Sequence, residues 1–336
     1  MPTLALLDAG VGSAEPARVE ADIRAGVATL AGAGLLNRPD RWPPPVPFAG
    51  RPLADDGRPV GATQAMLDQQ LAFRSSDAAL LGEIEDYLGL THTDGSPTLI
   101  FDVEPTPDGG VLLDAAQEWR FPNRSSFLVQ LPGVITDFAS HSLAMLVLHA
   151  GAALTGDGRL LVLPGLPEAG KSTLTAALIQ ARCDYLGDEL LGVLPDTLEA
   201  VGHPRALALD DESREVLGLP HTGSFTPYVA PHLPNSDVTA LEGPAGKVTE
   251  ILLPSYDPEA TGFEFELLTP LDALKTLLSS VMNLDRCGER GWQTLCQLVH
   301  EVHGSRVTHA GAPELARHLA EHRRQPQIEH EPDTDE

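Results

Sequence analysis

The first third of the chain carries helix-like and strand-like patterns of apolar residues on either side of a proline-rich segment. Apolar residues spaced four apart predict a helix over residues 13–30, and a second helical pattern covers residues 63–90. The prolines of residues 39–60 exclude regular structure, which predicts a linker or an extended strap between the two helices. Short β-rich runs over residues 99–103, 111–113 and 127–131 follow, separated by Pro, Gly and Asp turns.

Strands and helices alternate in the second part of the chain. A helix over residues 134–142 leads into a strand over residues 145–154, and a Gly-rich turn joins that strand to a second one over residues 160–163 as a hairpin. A helix starting at Thr173 and a return strand over residues 183–189 come next. The remaining pattern predicts strands over 250–253, 263–267 and 306–309, helices over 271–282, 289–302 and 313–322, and a disordered acidic tail over 323–336.

The charge of the chain indicates which classes of binding partner to expect. The 336 residues include 48 Asp and Glu against 22 Lys and Arg, a net charge of −26, and such a chain repels phosphate backbones. We therefore expect neither nucleic acid nor an anionic membrane as a partner. Either a basic partner or the demands of solubility, as in a saline cytoplasm, accounts for the acidity. The 42% of hydrophobic residues suffice for a real core.

The cysteines and the hydropathy bear on the compartment. Cys183, Cys287 and Cys296 form no C-x-x-C pair, and their odd number leaves one thiol over in any disulfide scheme, which is typical of a reducing cytoplasm. No run of eighteen uncharged apolar residues occurs, and no basic leader precedes the short apolar run at residues 1–9. The sequence therefore predicts neither a membrane span nor export.

The most specific motif lies between the second hairpin strand and the following helix. The run Gly165-Leu166-Pro167-Glu168-Ala169-Gly170-Lys171-Ser172 fits the pattern G-x-x-x-x-G-K-[ST]. A strand, a tight loop and a helix start direct backbone N–H groups and the positive end of the helix dipole at one point, which predicts a phosphate site. The alternative is a glycine-rich turn that matches the pattern by chance.

Each residue of this loop has an expected task at a bound triphosphate. Gly165 and Gly170 let the backbone turn closely around phosphate oxygens. Lys171, one of only three lysines in the chain, is expected on the β- and γ-phosphates of ATP. Ser172 is expected to offer its hydroxyl to Mg²⁺, and Thr173 could reach the α-phosphate. The carboxylate of Glu168, inside the motif, has to point away from the phosphates.

An acidic pair follows the motif. Asp188 and Glu189 come seventeen and eighteen residues after Lys171, about the length of one helix and one return strand, so both can approach the loop from a neighbouring strand end. In phosphoryl transfer one carboxylate completes the magnesium shell and another accepts the proton of the attacking hydroxyl. The alternative is a turn with solvated acids in an acid-rich protein.

His149 and Arg205 are two further candidates, each with an alternative explanation. His149 lies on an apolar strand, where a lone histidine is often a core group, although the hairpin could bring it to the γ-phosphate end. Arg205 could stabilise charge on the transferring phosphoryl group, or it could be a surface arginine paired with one of many acids. Both alternatives stay open from the sequence.

Taken together, His149-Ala150-Gly151, the glycine-rich loop and Asp188-Glu189 resemble the catalytic core of HPr kinase/phosphorylase. The chain is more similar to the HPr-kinase-related proteins of the kinase A type, in which a Pro-Arg dipeptide follows the Asp-Glu pair. Here that dipeptide is Pro204-Arg205. Similar runs over residues 251–254, 283–286 and 288–291 extend the resemblance from His149 to the last helix, about half of the chain.

The resemblance implies a PEP-carboxykinase-like P-loop fold that uses ATP and Mg²⁺ to phosphorylate a serine-type hydroxyl. It implies that Asp188 is the base, that Ser172 and Glu189 are metal ligands with Asp188 beside them, and that His149 is an active-site helper. The chain departs from the family at Glu168, where a glycine is common, and at Asp210, where a lysine is common. Relatives of HPr kinase often assemble, so a homo-oligomer is a further expectation.

The sequence therefore predicts an α/β protein with a PEP-carboxykinase/HPr-kinase-like P-loop core over residues 133–322 and a smaller N-terminal α+β region over residues 1–132. The expected function is an ATP-dependent kinase that acts on a hydroxyl of a peptide, a protein or a small metabolite. A nucleotide-binding regulatory or scaffold protein with little or no transfer is the alternative.

Overall fold

The structure is a computed structural model, and it describes residues 57–88, 93–114, 118–142, 144–165, 170–222, 226–228 and 244–321. Within these residues the fold is mixed α/β, with seven helices and four sheets. The helix predicted over residues 13–30, most of the proline-rich linker and the acidic tail lie outside the described residues.

The N-terminal region is a five-stranded sheet with two helices packed on it. Its elements are β1 (Gln64–Met66), β2 (Gln69–Arg74), α1 (Ala78–Leu88), β3 (Leu99–Pro105), β4 (Val111–Asp114), β5 (Glu118–Phe121) and α2 (Arg124–Ala139). The strands follow one another in chain order across the sheet, and β2 and β3 are the one parallel pair within it. Alternation along β3 buries Leu99, Phe101 and Val103 on the face that packs against the helices.

The prediction of one helix over residues 63–90 is wrong in its first half. The segment forms the hairpin β1–β2, with Leu67 at φ 55° in the turn, and helix α1 begins only at Ala78. Gln, Ala, Met and Leu favour a helix by propensity, but here Leu71 pairs with Leu99 of β3 and is buried. Pairing with a strand more than twenty residues away overrides the local preference.

The strand predicted over residues 127–131 is also wrong, because these residues lie inside α2. Asn123 caps that helix, accepting a hydrogen bond from the Ser126 backbone N–H at 2.8 Å. Phe127, Leu131 and Ile135 then follow at helical spacing on its buried face. The separate helix predicted over residues 134–142 is the second half of α2, which ends at Ala139.

A second set of elements follows α2. They are β6 (Leu146–Leu148), β7 (Ala150–Leu154), β8 (Leu160–Pro164), α3 (Lys171–Gln180), β9 (Asp184–Gly187), β10 (Leu191–Val193), β11 (Glu199–Gly202), β12 (Leu207–Leu209), α4 (Asp211–Val216), β13 (Thr226–Tyr228), β14 (Gly246–Lys247), β15 (Glu250–Tyr256), β16 (Phe263–Leu267), α5 (Pro270–Ser280), α6 (Leu284–Glu301), β17 (His303–His309) and α7 (Ala312–Glu321). The hairpin β7–β8 and the strands and helices predicted after residue 250 are confirmed, although α6 begins five residues earlier than predicted.

Three sheets make up this second region. The largest has the order β16-β17-β15-β8-β7-β9, in which β17, β15 and β8 run parallel to one another. A four-stranded sheet, β14-β11-β10-β6, and the pair β12–β13 accompany it. Helices α3 and α7 pack against each other and share a core cluster with residues of β8, β15 and β17. Strand β8 lies inside the largest sheet, so its carboxyl end lies between the two neighbouring strands β15 and β7.

The two regions share a core. Met145, Val147, Leu190 and Val201 pack in the same hydrophobic cluster as the N-terminal strands and helices. A boundary between residues 132 and 133 would cut α2, whose buried residues all belong to that cluster. No helix in the described residues is both long enough and apolar enough to cross a membrane.

Candidate active site

The strand and the helix that flank the glycine-rich motif lie where the pattern predicted them. Strand β8 ends at Pro164, and α3 begins at Lys171, two residues before the predicted start. Gly170 has a φ of 76°, in the left-handed region that glycine adopts readily, and Gly165 has a φ of 151°. Leu166, Pro167, Glu168 and Ala169 lie outside the described residues, so their expected contacts with phosphate stay predictions.

The first turn of α3 carries a buried cation and a hydroxyl. Lys171 is only 6% exposed, and this burial lowers the pKa of its ammonium, while the negative charges of Asp188 and Glu189 act in the opposite direction. The Ser172 hydroxyl donates a hydrogen bond to the carboxylate of Asp188. The acidic pair therefore lies directly beside the start of the helix, as the spacing predicted.

Asp188 is the most buried side chain of this group of candidate residues. It is 5% exposed, and burial raises the pKa of its carboxyl, although the hydrogen bond from Ser172 and the charge of Arg205 oppose that rise. Its Oδ1 atom is buried and has no hydrogen-bond partner among the described residues. A buried acceptor without a donor costs free energy, and such groups often mark sites that a ligand or ion completes. The solvated turn considered from the sequence is therefore wrong for Asp188.

Glu189 is held between the side chains of His149 and Arg205. Its Oε2 atom lies 3.3 Å from His149 Nδ1, and its Oε1 atom lies 3.3 Å from an Nη atom of Arg205. Burial alone raises the pKa of Glu189, but the hydrogen bond from His149 and the charge of Arg205 outweigh it and lower the pKa below its usual value. Both carboxylate oxygens are thus engaged.

His149 and Arg205 both belong to the site. The side chain of His149 is 28% exposed and contacts Glu189, so it is not a core histidine. Arg205 is 8% exposed and its Nε atom is buried with no hydrogen-bond partner in the described part of the chain, so it is not a surface arginine. The geometry therefore excludes a core histidine and a surface arginine, and the expected roles of both side chains at a phosphoryl group stay predictions.

Two breaks between strands bring His149 and Glu189 together. The strand predicted over residues 145–154 is split at His149 into β6 and β7, which belong to different sheets. The chain changes sheets again between β9 and β10, at residues 188–190. On one side of the breaks Ala152 pairs with Gly187, and on the other side Leu148 pairs with Leu191. The two breaks therefore lie opposite each other, and so do their side chains.

Sequence reasoning missed two residues that support Arg205. Tyr185, on β9, is buried, and this burial raises the pKa of its hydroxyl. The hydroxyl donates a hydrogen bond to the Arg205 carbonyl oxygen at 2.9 Å. His203 lies two residues before Arg205, and its Nδ1 is 3.0 Å from the carbonyl oxygen of Ala65 in the N-terminal region. Burial and the charge of Arg205 lower the pKa of His203 to about 4. Its position just before Pro204-Arg205 is a signal that could have drawn attention to it.

Thr173 and Asp210 have structural contacts. The Thr173 hydroxyl lies 2.9 Å from the hydroxyl of Ser213 on α4, which links the two helices. Asp210 is the N-cap of α4, where its side chain accepts a hydrogen bond from the Ser213 backbone N–H at 2.8 Å. The residue that stands in place of the family's common lysine therefore stabilises a helix start.

The residues present fit a magnesium–triphosphate group. Magnesium is usually held by one or two carboxylates together with phosphate oxygens and waters, and Ser172 with the Asp188–Glu189 pair supplies such a donor set. Within the described ranges, no group of three or more His, Cys, Asp or Glu side chains is placed to hold a metal by itself.

The function has to be inferred from this geometry and chemistry. A comparison with models of protein families found no matching family, and a search of the curated proteins found no match.

Proposed function

We propose that the protein is an ATP-dependent kinase that transfers the γ-phosphoryl group of MgATP to a hydroxyl of a peptide, a protein or a small metabolite. We also propose that its core is of the PEP-carboxykinase/HPr-kinase-like P-loop type, as the resemblance implies. One observation carries the proposal: the buried carboxylate of Asp188 has an unpartnered Oδ1, accepts a hydrogen bond from Ser172 and lies beside Lys171 at the start of a helix.

The helix start supplies the groups that bind phosphate. The first backbone N–H groups of α3 have no partner within the helix, and the helix dipole adds partial positive charge there. Lys171 adds a full positive charge on the same turn. Magnesium, when bound with ATP, neutralises phosphate charge, and Ser172 with one of the two neighbouring carboxylates would hold it.

Asp188 is suited to accept a proton. A base works best when its pKa is closer to the working pH than that of an ordinary carboxylate, and burial shifts the pKa of Asp188 in that direction. In this assignment the unpartnered Oδ1 takes the proton of the acceptor hydroxyl, and the hydrogen bond from Ser172 holds the carboxylate in place. Arg205 and His149 orient Glu189 beside it.

A second candidate is a nucleotide-binding regulatory or scaffold protein with little or no transfer. The engagement of Glu189 favours it, because both carboxylate oxygens are already paired with His149 and Arg205. A glutamate held in this way can serve the fold of the site instead of a metal ion. Glu168, inside the motif, points in the same direction because it adds negative charge to the loop.

The test combines nucleotide binding with transfer. Wild type, Lys171→Ala, Asp188→Asn and the control Lys275→Ala are incubated with γ-labelled ATP, Mg²⁺ and a degenerate library of serine-containing peptides. Lys275 is an exposed lysine on α5 whose ammonium lies 3.6 Å from Asp272, so its loss should change nothing. We expect Lys171→Ala to lose binding, and Asp188→Asn to bind MgATP while transfer falls by about 10²- to 10⁴-fold.

The outcomes separate the candidates. Transfer that survives in Asp188→Asn refutes the assignment of the base. Calorimetry that detects MgATP binding, with no label on any acceptor and only slow phosphate release, supports the second candidate. No MgATP binding by the wild type rejects both.

Folding of Asp188→Asn can be checked in the same samples. Because burial raises the pKa of Asp188 in the folded state, its ionised form destabilises the protein, and this cost grows as the pH rises above the unfolded pKa of the group. Asn removes the charge at nearly the same volume. Urea unfolding at pH 7 should therefore show Asp188→Asn to be no less stable than the wild type, so a loss of transfer is not a loss of fold.

A further inference from the structure

An exposed aromatic ring lies at the carboxyl end of β15. Tyr256 is the last residue of that strand and is 64% exposed. Its ring meets the imidazole of His309, the last residue of β17, edge to face with ring centroids 6.1 Å apart. The two strand ends are tied together, because the Asp257 backbone N–H donates to the His309 carbonyl oxygen at 2.9 Å. The tyrosine is therefore mounted on two parallel strands.

The strand that carries Tyr256 is the direct neighbour of the strand that leads into the glycine-rich loop. In the parallel pair β15–β8, Ile251 lies opposite Val162, and continuing this register places Leu253 level with Pro164, the end of β8. The last three residues of β15 therefore extend about 10 Å past the end of β8.

Tyr256 also lies on the face of the sheet that α3 covers. Side chains alternate along a strand, so Tyr256 shares a face with Leu252. Leu252 packs in one cluster with Leu174 of α3 and Val307 of β17. The ring is therefore on the same side of the sheet as the helix whose first turn carries Lys171.

The acidic pair lies on the opposite flank of the loop. In the sheet order β17-β15-β8-β7-β9, Asp188 and Glu189 follow β9, on one side of β8, while Tyr256 ends β15 on the other. A triphosphate at the start of α3 that directs its reacting end towards Asp188 has its nucleoside directed away from the acids. Ligands of such sheets bind outside the carboxyl ends of the strands. On the side of β8 that faces away from the acidic pair, these are the carboxyl ends of β15 and β17.

We propose that Tyr256 is the stacking platform for the base of the bound nucleotide, with His309 fixing the orientation of the tyrosine ring. This inference rests on the proposed function, because it places the triphosphate at the first turn of α3. Every base presents a π-face, so the platform contributes affinity for a nucleoside and tolerates either purine.

The support beneath the ring distinguishes Tyr256 from an incidental surface residue. Single exposed apolar side chains are normal on protein surfaces, and Leu267 on β16 is one, at 73% exposure. Tyr256 instead rests on a histidine that is 5% exposed. Burial lowers the pKa of His309, which favours the neutral imidazole ring as the surface beneath the tyrosine.

The experiment compares two ligands that differ in the nucleoside. Calorimetry measures the Kd of magnesium-loaded ATP and of magnesium-loaded inorganic tripolyphosphate for wild type, Tyr256→Ala, Tyr256→Leu and Tyr256→Phe, with Leu267→Ala as the matched exposed control. We expect Ala and Leu to weaken ATP binding roughly ten-fold and to leave tripolyphosphate binding unchanged. Phe should retain the ATP affinity of the wild type, and Leu267→Ala should change neither ligand. Circular dichroism of each variant confirms the fold.

Each result decides between the platform and the kinase proposal. If Tyr256→Ala and Tyr256→Leu bind ATP as well as the wild type does, the platform is wrong and the phosphate site stands. If both variants weaken ATP and tripolyphosphate equally, Tyr256 acts on the phosphate site, and the platform is again wrong. If the wild type binds neither ligand, the proposed function fails together with the platform.

Discussion

Replacing Gly151 by alanine tests how tightly the first hairpin strand presses on the helix of the candidate site. Gly151 lies on β7 opposite Leu163 of β8, and a Cβ atom added there would lie well inside 3.0 Å of the Thr175 Oγ1 atom on α3. Real Cβ atoms essentially never approach another heavy atom so closely. Thr175 is fully buried, so it cannot move out into solvent to make room.

The size of the effect follows from this contact. Overpacking a well-packed core by one carbon typically costs about 1–3 kcal/mol, and the stiff threonine can relieve only part of it by changing rotamer. Thr175→Ala removes the hydroxyl that the new methyl group would meet. The Thr175 hydroxyl has no hydrogen-bond partner among the described residues. Removing this buried polar group stabilises the protein and offsets the cost of losing the buried methyl group, so the free energy of unfolding of Thr175→Ala should stay near that of the wild type.

Urea unfolding of the wild type, both single variants and Gly151→Ala/Thr175→Ala measures this coupling. We expect Gly151→Ala to lower the free energy of unfolding by about 1–3 kcal/mol, and the double variant to recover most of the loss. The control is Gly82→Ala on α1, where an added Cβ meets nothing within 4 Å, and it should be neutral or stabilising by about 0.5–1 kcal/mol. Equal stability of Gly151→Ala and the wild type, or additive single effects, would refute the packing of β7 on α3 described here.

Two further predictions concern the supports of the site. The pKa of His203 is lowered to about 4, so its neutral form stabilises the fold above the unfolded pKa near 6.5, and that stability is lost as the pH falls towards 4. The free energy of unfolding, measured with urea between pH 7 and pH 4, should therefore fall more for the wild type than for His203→Gln, by about 3 kcal/mol at most. Parallel pH profiles of the two proteins would contradict this. Asn283 is buried; its Oδ1 accepts a hydrogen bond from the Val147 N–H, and its Nδ2 donates to the carbonyl oxygens of Ser142 and Met145, at 2.8–3.0 Å. Asn283→Ala should therefore lower the free energy of unfolding by at least about 3 kcal/mol. A measured loss under about 1 kcal/mol would contradict this.

The elements that the sequence predicted well depend on neighbours along the chain. The hairpin β7–β8 needs only a Gly-rich turn between two apolar runs, and the flanks of the glycine-rich motif need only a strand followed by a helix start. The errors at residues 63–74 and 127–131 have two separate causes. At residues 63–74, pairing with β3 overrides the helix propensity of the segment. At residues 127–131, the cap at Asn123 starts a helix that includes the β-rich run.

The sequence by itself predicted the strand and the helix start that flank the glycine-rich motif, and the acidic pair near Lys171, because these groups lie within one strand–helix–strand unit whose length sets their separation. Only the tertiary structure decided that the side chains of His149, Glu189 and Arg205 contact one another as one group, with Glu189 in the middle. These residues come from three separate segments. His149 and Glu189 meet because two strand breaks face each other across two sheets, and Arg205 joins them from the segment between β11 and β12. The position of Tyr256 beyond the end of β8 was decided in the same way, by the register of β15 against β8. Contacts between distant segments depend on strand order and register, and a local pattern of residues specifies neither.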